Sequence, residues 1–522
     1  MNTTTLLRAL GFALAGTAQA ASIAWPWGGQ PLWWLQLLSM AALVWLLEGL
    51  RLDAAPRPWR RGFGQGWVFA TAWLCGNFWW LFISMHTYGG MAAPLAALAV
   101  LLLAAALGLY YAVACAVFVA WAPRRWWWRA LSFAALWTLA ELIRGYWFTG
   151  FPWGASGYAH VEGPLAKLAP WVGVYGIGAV AALLCAVLAQ CLRLDHRLRS
   201  SWLAPVSVVL VLTGLSVVGV TDVTARAANA APPPLQIALL QGNIPQDEKF
   251  IPGGGVATAL NWYGVQLRDA SASLVVTPET ALPLLPSQLP PGYLHAIASR
   301  YASGTQAAIV GLPIGDARGY TNTVLGFKAG QAAPYRYDKH HLVPFGEFVP
   351  GMFRWFTEMM SIPLGDFARG GLAQPSFEWQ GQRIAPNICY EDLFGEEIGA
   401  NFRDEARAPT ILLNVSNIAW FGDSVAIDEH LAISRMRALE FQRPMVRATN
   451  TGATVVIDHH GVVTQSLPRL TRGVLVAMVE GRNGITPYAA WVSRYGLLPM
   501  WLVAMLVVAI TVLPGALRRR GS

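Results

Sequence analysis

Eight stretches of this chain are each long and apolar enough to cross a lipid bilayer, and no other feature constrains the fold so tightly. A hydrocarbon core of ~30 Å takes about 20 helical residues to span. Such stretches lie near 5–25, 31–50, 64–86, 91–121, 127–148, 166–192, 202–221 and 488–514. Inside lipid each backbone N–H and C=O has to be satisfied within its own segment, so the stretches are expected as helices. The fourth and sixth are long enough to tilt or to include an interfacial turn. Between the seventh and eighth the composition changes. Residues 235–483 hold 22 of the 28 Asp and Glu and 19 of the 37 Lys and Arg, a balance of −3, while the remainder carries +12. That segment reads as an ordinary soluble domain, long enough to build its own core. With 55% hydrophobic and only 12% charged residues, the whole chain is neither a soluble globular enzyme nor a disordered chain nor a disulfide scaffold.

The arginines give the topology. Arg8 opens the first stretch, and Arg51, Arg57, Arg60 and Arg61 lie between the second and third. Arg124, Arg125 and Arg129 lie between the fourth and fifth, Arg193, Arg197 and Arg199 between the sixth and seventh, and Arg518, Arg519 and Arg520 at the end. All fall on alternate connections, hence on one side, whereas the connections 25–30 and 86–90 carry no Lys or Arg. By the positive-inside rule both termini are cytoplasmic. The expected organisation is seven transmembrane helices over 1–221, an outer domain over 235–483, an eighth helix over 488–514 and a cytoplasmic tail over 515–522. For a bacterial chain this means the inner membrane, with the domain in the periplasm. The basic excess therefore orients helices and is not a nucleic-acid footprint. Ala18-Gln19-Ala20 resembles a signal-peptidase site, but an uncleaved first helix is the favoured reading.

Cys75, Cys115, Cys185 and Cys191 lie in or beside apolar stretches, where a thiol is usually a small core hydrophobe. Cys389 alone falls in the soluble domain, so no disulfide can form within it. A single thiol outside the cytosol is a liability unless it is buried or used. Short apolar runs near 235–241, 273–278, 307–312, 323–327, 383–389, 410–415, 445–449, 453–457 and 474–479 alternate with helical stretches near 255–270, 291–302, 392–401 and 428–442. This alternation predicts a layered α/β or α+β sandwich, whose ligands meet groups at the carboxyl ends of strands. Three such ends carry chemistry: Val275-Val276-Thr277-Pro278-Glu279, then Tyr337-Asp338-Lys339 with Glu347 eight residues on, then Asn387-Ile388-Cys389-Tyr390-Glu391. Where a strand hands Cys389 to a helix, the helix N-terminus is expected to lower the thiol pKa.

Glu279, Lys339 and Cys389, in that order, resemble the Glu-Lys-Cys set of the nitrilase (carbon–nitrogen hydrolase) superfamily. Pro344-Phe345-Gly346-Glu347, Asn387-Ile388-Cys389-Tyr390-Glu391 and Val415-Ser416-Asn417-Ile418-Ala419-Trp420-Phe421-Gly422 are similar to motifs of one of its membrane-bound branches, the apolipoprotein N-acyltransferase family. Ile418 departs from that pattern, where a polar residue is expected. The resemblance implies a polytopic membrane domain of eight transmembrane helices plus a nitrilase-like α-β-β-α sandwich, and a cofactor-free, two-step acyl transfer. Cys389 would be the nucleophile, acting as a thiolate. Glu279 would be the general base, with a pKa raised by a partly dry pocket. Lys339 would stabilise the oxyanion, helped by a backbone N–H near Tyr390, with Glu347 and Glu391 in support. The implied partners are a phospholipid acyl donor of the phosphatidylethanolamine type and a diacylated apolipoprotein acceptor, with a monomer sufficing.

Several features admit a plainer account. The Met-rich run 352–363 is an ordinary core helix or a lid facing lipid, with Trp355, Phe356 and Met359 as candidate acyl contacts. Trp420 and Phe421 line the same cleft or simply pack. Glu141 and Arg144 are expected to pair with each other or to meet a headgroup. His340, His341 and His430 match no zinc spacing, and Asp423 and Asp428 read as turn and cap residues. Two other functions fit parts of the pattern: a membrane-tethered amidase using the same three residues, and a transporter with an outer domain.

Overall fold

The apolar stretches fold as helices. The computed structural model describes residues 3–53, 56–192, 203–217, 222–224, 232–317, 319–349 and 367–520. Its first unit comprises Met1–Thr221 with Leu497–Ser522. There α1 is Thr3–Ile23, α2 Trp33–Leu52, α3 Pro58–Phe78, α4 Ala93–Trp121, α5 Trp126–Tyr146, α6 Ala169–Cys191 and α7 Leu203–Val217. Past a bend of 59°, α3 is followed by a short helical segment, Leu81–Tyr88. Among the described residues, four helices are long and apolar enough to cross a membrane singly, or up to six if two bent pairs each count as one span. Lipid offers little hydrophobic drive between helices, so close packing has to hold them, and small residues mark the contacts. A Cβ on Gly16 of α1 would lie 2.2 Å from the carbonyl oxygen of Phe69 in α3, and one on Gly66 of α3 would lie 2.5 Å from Cys115 Cβ in α4.

Several of the basic residues used for the topology meet near the end of α2. Arg8 and Arg61 both pair with Asp53, and Arg51 and Arg129 both pair with Glu48 at 3.3 and 3.1 Å. Arg51 also donates to the carbonyl of Ala122, and Arg129 to that of Arg124. Arg193, Arg197 and Arg199 lie outside the described residues. Glu141 and Arg144 do not pair as expected. Glu141 accepts from the N–H and hydroxyl of Ser156, both at 2.7 Å. Arg144 instead donates to Tyr111 and to the carbonyls of Phe151 and Trp153. The spacing gave the shared face correctly, but the loop that follows α5 supplies nearer partners for each charge.

The second unit, Asp222–Gly496, holds two six-stranded sheets. Along the chain the strands are β1 Leu235–Gln241, β2 Leu274–Val276, β3 Ala307–Asp316, β4 Gly319–Phe327, β5 Tyr335–Asp338, β6 Phe377–Trp379, β7 Gln382–Ile388, β8 Ile411–Ser416, β9 Met445–Thr449, β10 Val455–Ile457, β11 Val463–Ser466 and β12 Gly473–Val479. The sheet orders are β12-β1-β2-β3-β4-β5 and β11-β10-β9-β8-β7-β6. β1, β2 and β3 run parallel in one, and β7, β8 and β9 in the other. Alternation along a strand sends successive side chains to opposite faces. Leu235, Ile237 and Leu239 of β1 accordingly join Ile384, Leu413 and Val446 in the layer between the sheets. Ala238 and Leu240 face the other way, onto α8 (Gly255–Asp269) and α9 (Tyr293–Tyr301). Beside the second sheet are α10 (Gly395–Gly399) and α11 (Ala426–Phe441). The result is the helix–sheet–sheet–helix sandwich that the resemblance implied.

Three strands have no counterpart in the sequence reading. β5, β6 and β11 are short, polar or mixed (Tyr-Arg-Tyr-Asp, Phe-Glu-Trp, Val-Thr-Gln-Ser), and each lies at a sheet edge, where little apolar patterning is needed. The stretch expected as one helix over 488–514 is two. α12 (Pro487–Tyr495) belongs to the sandwich unit, and α13 (Leu498–Arg520) starts after Gly496, whose φ of 54° breaks the helix. Leu413, fully buried between the sheets, supports a stability test. Leu413→Ala should cost about 2–5 kcal/mol, read as a lowered thermal midpoint. Gln465→Ala on the exposed edge strand β11 should change stability by no more than about 0.5 kcal/mol.

Candidate active site

The parallel strands of both sheets deliver their carboxyl ends to one place. Glu279 follows β2, Cys389 follows β7, Asn417 follows β8 and Asn450 follows β9. Asn417 Nδ2 donates to Gln246 Oε1 beyond β1 at 2.8 Å. Asn450 Nδ2 donates to the Ile244 carbonyl at 2.8 Å and to Asn417 Oδ1 at 3.1 Å. These bonds tie the end of one sheet to the end of the other, so residues distant in sequence share a single buried pocket of polar groups.

Glu279, Lys339 and Glu347 form its charged centre. Lys339, about 1% exposed, donates from Nζ to Glu347 Oε1 at 2.9 Å and to Glu279 Oε1 at 3.4 Å. Asn322 of β4 closes the square, with Nδ2 donating to the same two oxygens, each at 2.7 Å. The second oxygens are also held: Glu279 Oε2 by the N–H of Asn417 at 2.8 Å, and Glu347 Oε2 by the N–H of Val343 at 2.9 Å. Burial works to raise the Glu279 pKa, but Lys339, Asn322, Lys249 and the Asn417 N–H outweigh it and hold the carboxyl below its ordinary value. Burial likewise opposes the charge on Lys339, yet Glu347 and Glu279 carry its pKa above that of a free lysine. The raised pKa expected for Glu279 is therefore corrected. The carboxyl is buried, but its donors keep the acid ionised.

Cys389 is half-buried and sits at φ 54°, a left-handed conformation uncommon for a non-glycine residue. It opens a single 3₁₀ turn, Cys389–Leu393, and α10 begins only at Gly395. The helix expected over 392–401 is thus broken into short pieces and has little dipole to offer the sulfur. Burial, reinforced by the Glu279 carboxylate and only partly countered by Lys339, pushes the thiol up to about 12. The resting pair is a neutral thiol beside an ionised acid, not a preformed thiolate.

Two networks hold this turn. Glu391 accepts from the N–H groups of Ile388 (2.6 Å), His340 (2.6 Å) and His341 (3.1 Å) and from the Tyr337 hydroxyl (2.9 Å). It thereby joins the Cys389 turn to the segment carrying Lys339. On the other side His430 Nε2 lies 3.1 Å from the Cys389 carbonyl and 2.9 Å from Asp392 Oδ1. Arg447 can only donate, and its Nη2 lies 3.0 Å from His430 Nδ1. The His430 ring therefore bridges Arg447 to Asp392 and to the carbonyl of Cys389.

Of the other expected site residues, Tyr390 is buried against Phe394 and His341. Trp420 (39% exposed) and Phe421 lie on the turn Ile418–Phe421 just past Asn417. Ile418 itself is buried, against Gly452. Trp355, Phe356, Met359 and the whole Met-rich run 352–363 lie outside the described residues. No group of three or more His, Cys, Asp or Glu that could hold a metal occurs among the described residues. The sequence reading missed Asn322, Lys249, His430 and Arg447. Lys249 could have been found by the rule that found the others, since it lies shortly beyond the carboxyl end of β1. Asn322 sits inside β4, where only strand pairing reveals its role.

A carbon–nitrogen hydrolase sandwich with a Glu-Lys-Cys pocket, carried in one chain with a bundle of apolar helices, defines the class of protein. Residues 236–484 match the carbon–nitrogen hydrolase family, and residues 15–187 match the apolipoprotein N-acyltransferase N-terminal domain. An apolipoprotein N-acyltransferase of Verminephrobacter eiseniae is 60% identical over 93% of this chain and 92% of its own length. Another, of Ralstonia nicotianae, is 46% identical over 87% and 85%. A solved carbon–nitrogen hydrolase superfamily protein from Xanthomonas campestris is 21% identical, with a TM-score of 0.37, over 51% of this chain and 96% of its own. The chain belongs to the apolipoprotein N-acyltransferase family. It is a multi-pass membrane enzyme.

Two measurements test the pocket. A Cβ at Gly311 on β3 would lie 2.2 Å from the carbonyl oxygen of Pro278 and 3.1 Å from Glu279 Cα, so Gly311→Ala has to displace the Glu279 backbone. The acylation rate should fall about 100-fold while the protein remains folded by circular dichroism. Because the thiol is held near 12, Cys389 alkylation by iodoacetamide, followed by peptide mass spectrometry, should climb with pH without levelling off between about 8 and 10. A plateau there would show an ordinary or activated thiolate.

Proposed function

We propose that Cys389 takes an acyl chain from a phospholipid ester and passes it to the α-amine of a diacylglyceryl-cysteine at the N-terminus of an apolipoprotein. The observation that carries this reading is the placing of Glu279, Lys339 and Cys389 at neighbouring strand ends in a chain that also holds long apolar helices. A neutral thiol beside an ionised carboxylate suits a nucleophile that is activated only when an electrophile is in place. In the first half-reaction the sulfur attacks the ester carbonyl carbon while its proton passes to Glu279. The oxyanion is stabilised by the Lys339 ammonium and the amide of Tyr390. Collapse expels the lysophospholipid alkoxide, which takes the proton back from Glu279, and a thioester remains on Cys389. In the second half-reaction the neutral amine attacks the thioester and loses a proton to Glu279. The departing thiolate recovers that proton, and the amide is formed.

Lys339 needs a fixed position and a permanent charge for this role, and the two carboxylates beside it supply both. Glu347 and Glu391 are positioning residues: the first holds the ammonium, the second the turn that presents the sulfur. Both substrates are lipids, which accounts for a catalytic sandwich joined to apolar helices. The clustering of Arg8, Arg51, Arg61 and Arg129 at one end of the helical unit supports a cytoplasmic location for that end. We take the full set of eight spans, the periplasmic sandwich in the inner membrane of a bacterium and a monomeric enzyme as parts of the same proposal.

Incubating the purified full-length protein with phosphatidylethanolamine alone should add one acyl mass to the intact protein, lost on hydroxylamine treatment. Cys389→Ser should form no such thioester and should lose N-acylation of a diacylated lipopeptide by more than about 1,000-fold. If Cys389→Ser still acylates that lipopeptide at the native rate, the mechanism is wrong.

A further inference from the structure

Among the described residues, the buried cations of the sandwich are not all matched by carboxylates. Lys249 lies on the segment that leaves β1, and the residue is about 2% exposed. Its Nζ makes one hydrogen bond, to the backbone carbonyl of Glu279 at 3.3 Å. Among the described residues no carboxylate lies within ion-pair distance of it, whereas Lys339 has two. Asp247 and Glu248, its neighbours in sequence, are exposed. Lysines are almost never fully buried unless paired, because desolvating the ammonium is costly. Among the described residues the ammonium makes no other hydrogen bond, lying 5.9 Å from the centroid of the Phe250 ring, and its charge reaches both Glu279 and Cys389.

Charge balance indicates what would take those donors. Glu279 and Glu347 bring two negative charges to the pocket and Lys339 one positive charge, so the three together are a net anion. An anionic substrate would be repelled from that set. Lys249 restores neutrality at the point where the chain turns outward: the next two residues, Phe250 and Ile251, are 51% and 52% exposed. The site thus has an oxyanion cation, Lys339, fixed between two carboxylates, and a second cation held by one weak bond to a carbonyl. In a phospholipid the phosphodiester is separated from the ester that reacts by only the glycerol backbone. A cation near the nucleophile that makes no direct ion pair with a carboxylate among the described residues is suited to that second anionic group.

We propose that Lys249 binds the phosphodiester of the acyl-donor phospholipid and so selects anionic-phosphate lipids over uncharged esters. The inference rests on the acyl-enzyme reading above and adds to it which part of the donor is recognised. Burial pushes the Lys249 pKa down to about 8, with Glu279 and Cys389 opposing the shift. A bound phosphodiester would favour the charged form, as any close anion does.

The test compares two donors with identical acyl chains, phosphatidylethanolamine and uncharged diacylglycerol, by the rate of thioester formation on the full-length enzyme. The wild type should prefer the phospholipid. In Lys249→Met the phospholipid-to-diacylglycerol rate ratio should fall about tenfold or more, the loss expected when a charge-assisted contact is removed. Lys249→Arg should restore part of the ratio, and thermal melting identifies any variant that has simply unfolded. Equal falls with both donors would overturn the proposal and make Lys249 a support for Glu279 or the oxyanion. An unchanged ratio with unchanged rates would overturn it too. If the wild type forms no thioester with either donor, the acyl-enzyme reading itself fails, an outcome distinct from the other two.

Discussion

The catalytic pocket depends on keeping charged groups ionised out of water. Moving a carboxylate or an ammonium into a protein interior costs several kcal/mol per ion unless partners replace its hydration. The sandwich meets that cost with a square of atoms: Lys339 Nζ, Asn322 Nδ2 and one oxygen each from Glu279 and Glu347. Each remaining carboxylate oxygen is capped by a backbone N–H, so neither acid needs water in order to stay charged. Remove the amide of Asn322 and the two acids face each other across one cation. All four come from the first sheet and the loop after β5, and the second sheet adds the Asn417 N–H that caps Glu279 and the turn that carries Cys389.

Much of this could be read from the chain, and what could not has a physical reason. Long apolar runs and central strands such as β1 and β9 announce themselves because burial on both faces demands continuous hydrophobic sequence. Glu279 and Cys389 were visible because each stands just past such a strand, whereas Lys339 follows the short edge strand β5 and stood out only through its place in the ordered Glu-Lys-Cys set. Edge strands β5, β6 and β11 left little trace, being short and partly solvated. Asn322 was invisible for a different reason: it acts through side-chain geometry inside a hairpin and has no sequence signature. The direction of the Glu279 pKa shift was misread because burial is legible in hydropathy while the donors that offset it come from four separate segments.

Charge does different work in the helical unit. Arg8, Arg51, Arg61 and Arg129 share two acids, Asp53 and Glu48, at the end of α2, so these pairs fasten the bundle there. Farther along, Arg144 lies over the faces of Trp73 and Tyr111 with its nitrogens on carbonyls and a hydroxyl. A guanidinium can be accommodated this way because it is weakly hydrated and donates in several directions within one plane. A lysine there could not satisfy the same set.

The strained turn at Cys389 also bears on the durability of the enzyme. Peroxides and stray disulfides attack thiolates far faster than thiols, so a sulfur that stays protonated at rest is a poor target for sulfenic acid formation or mixed-disulfide exchange. In the proposed reaction its reactivity would appear only while a bound ester presents a carbonyl and Glu279 can take the proton. An oxidising surrounding would then do little harm between turnovers, and the enzyme would need no reductant to stay in service.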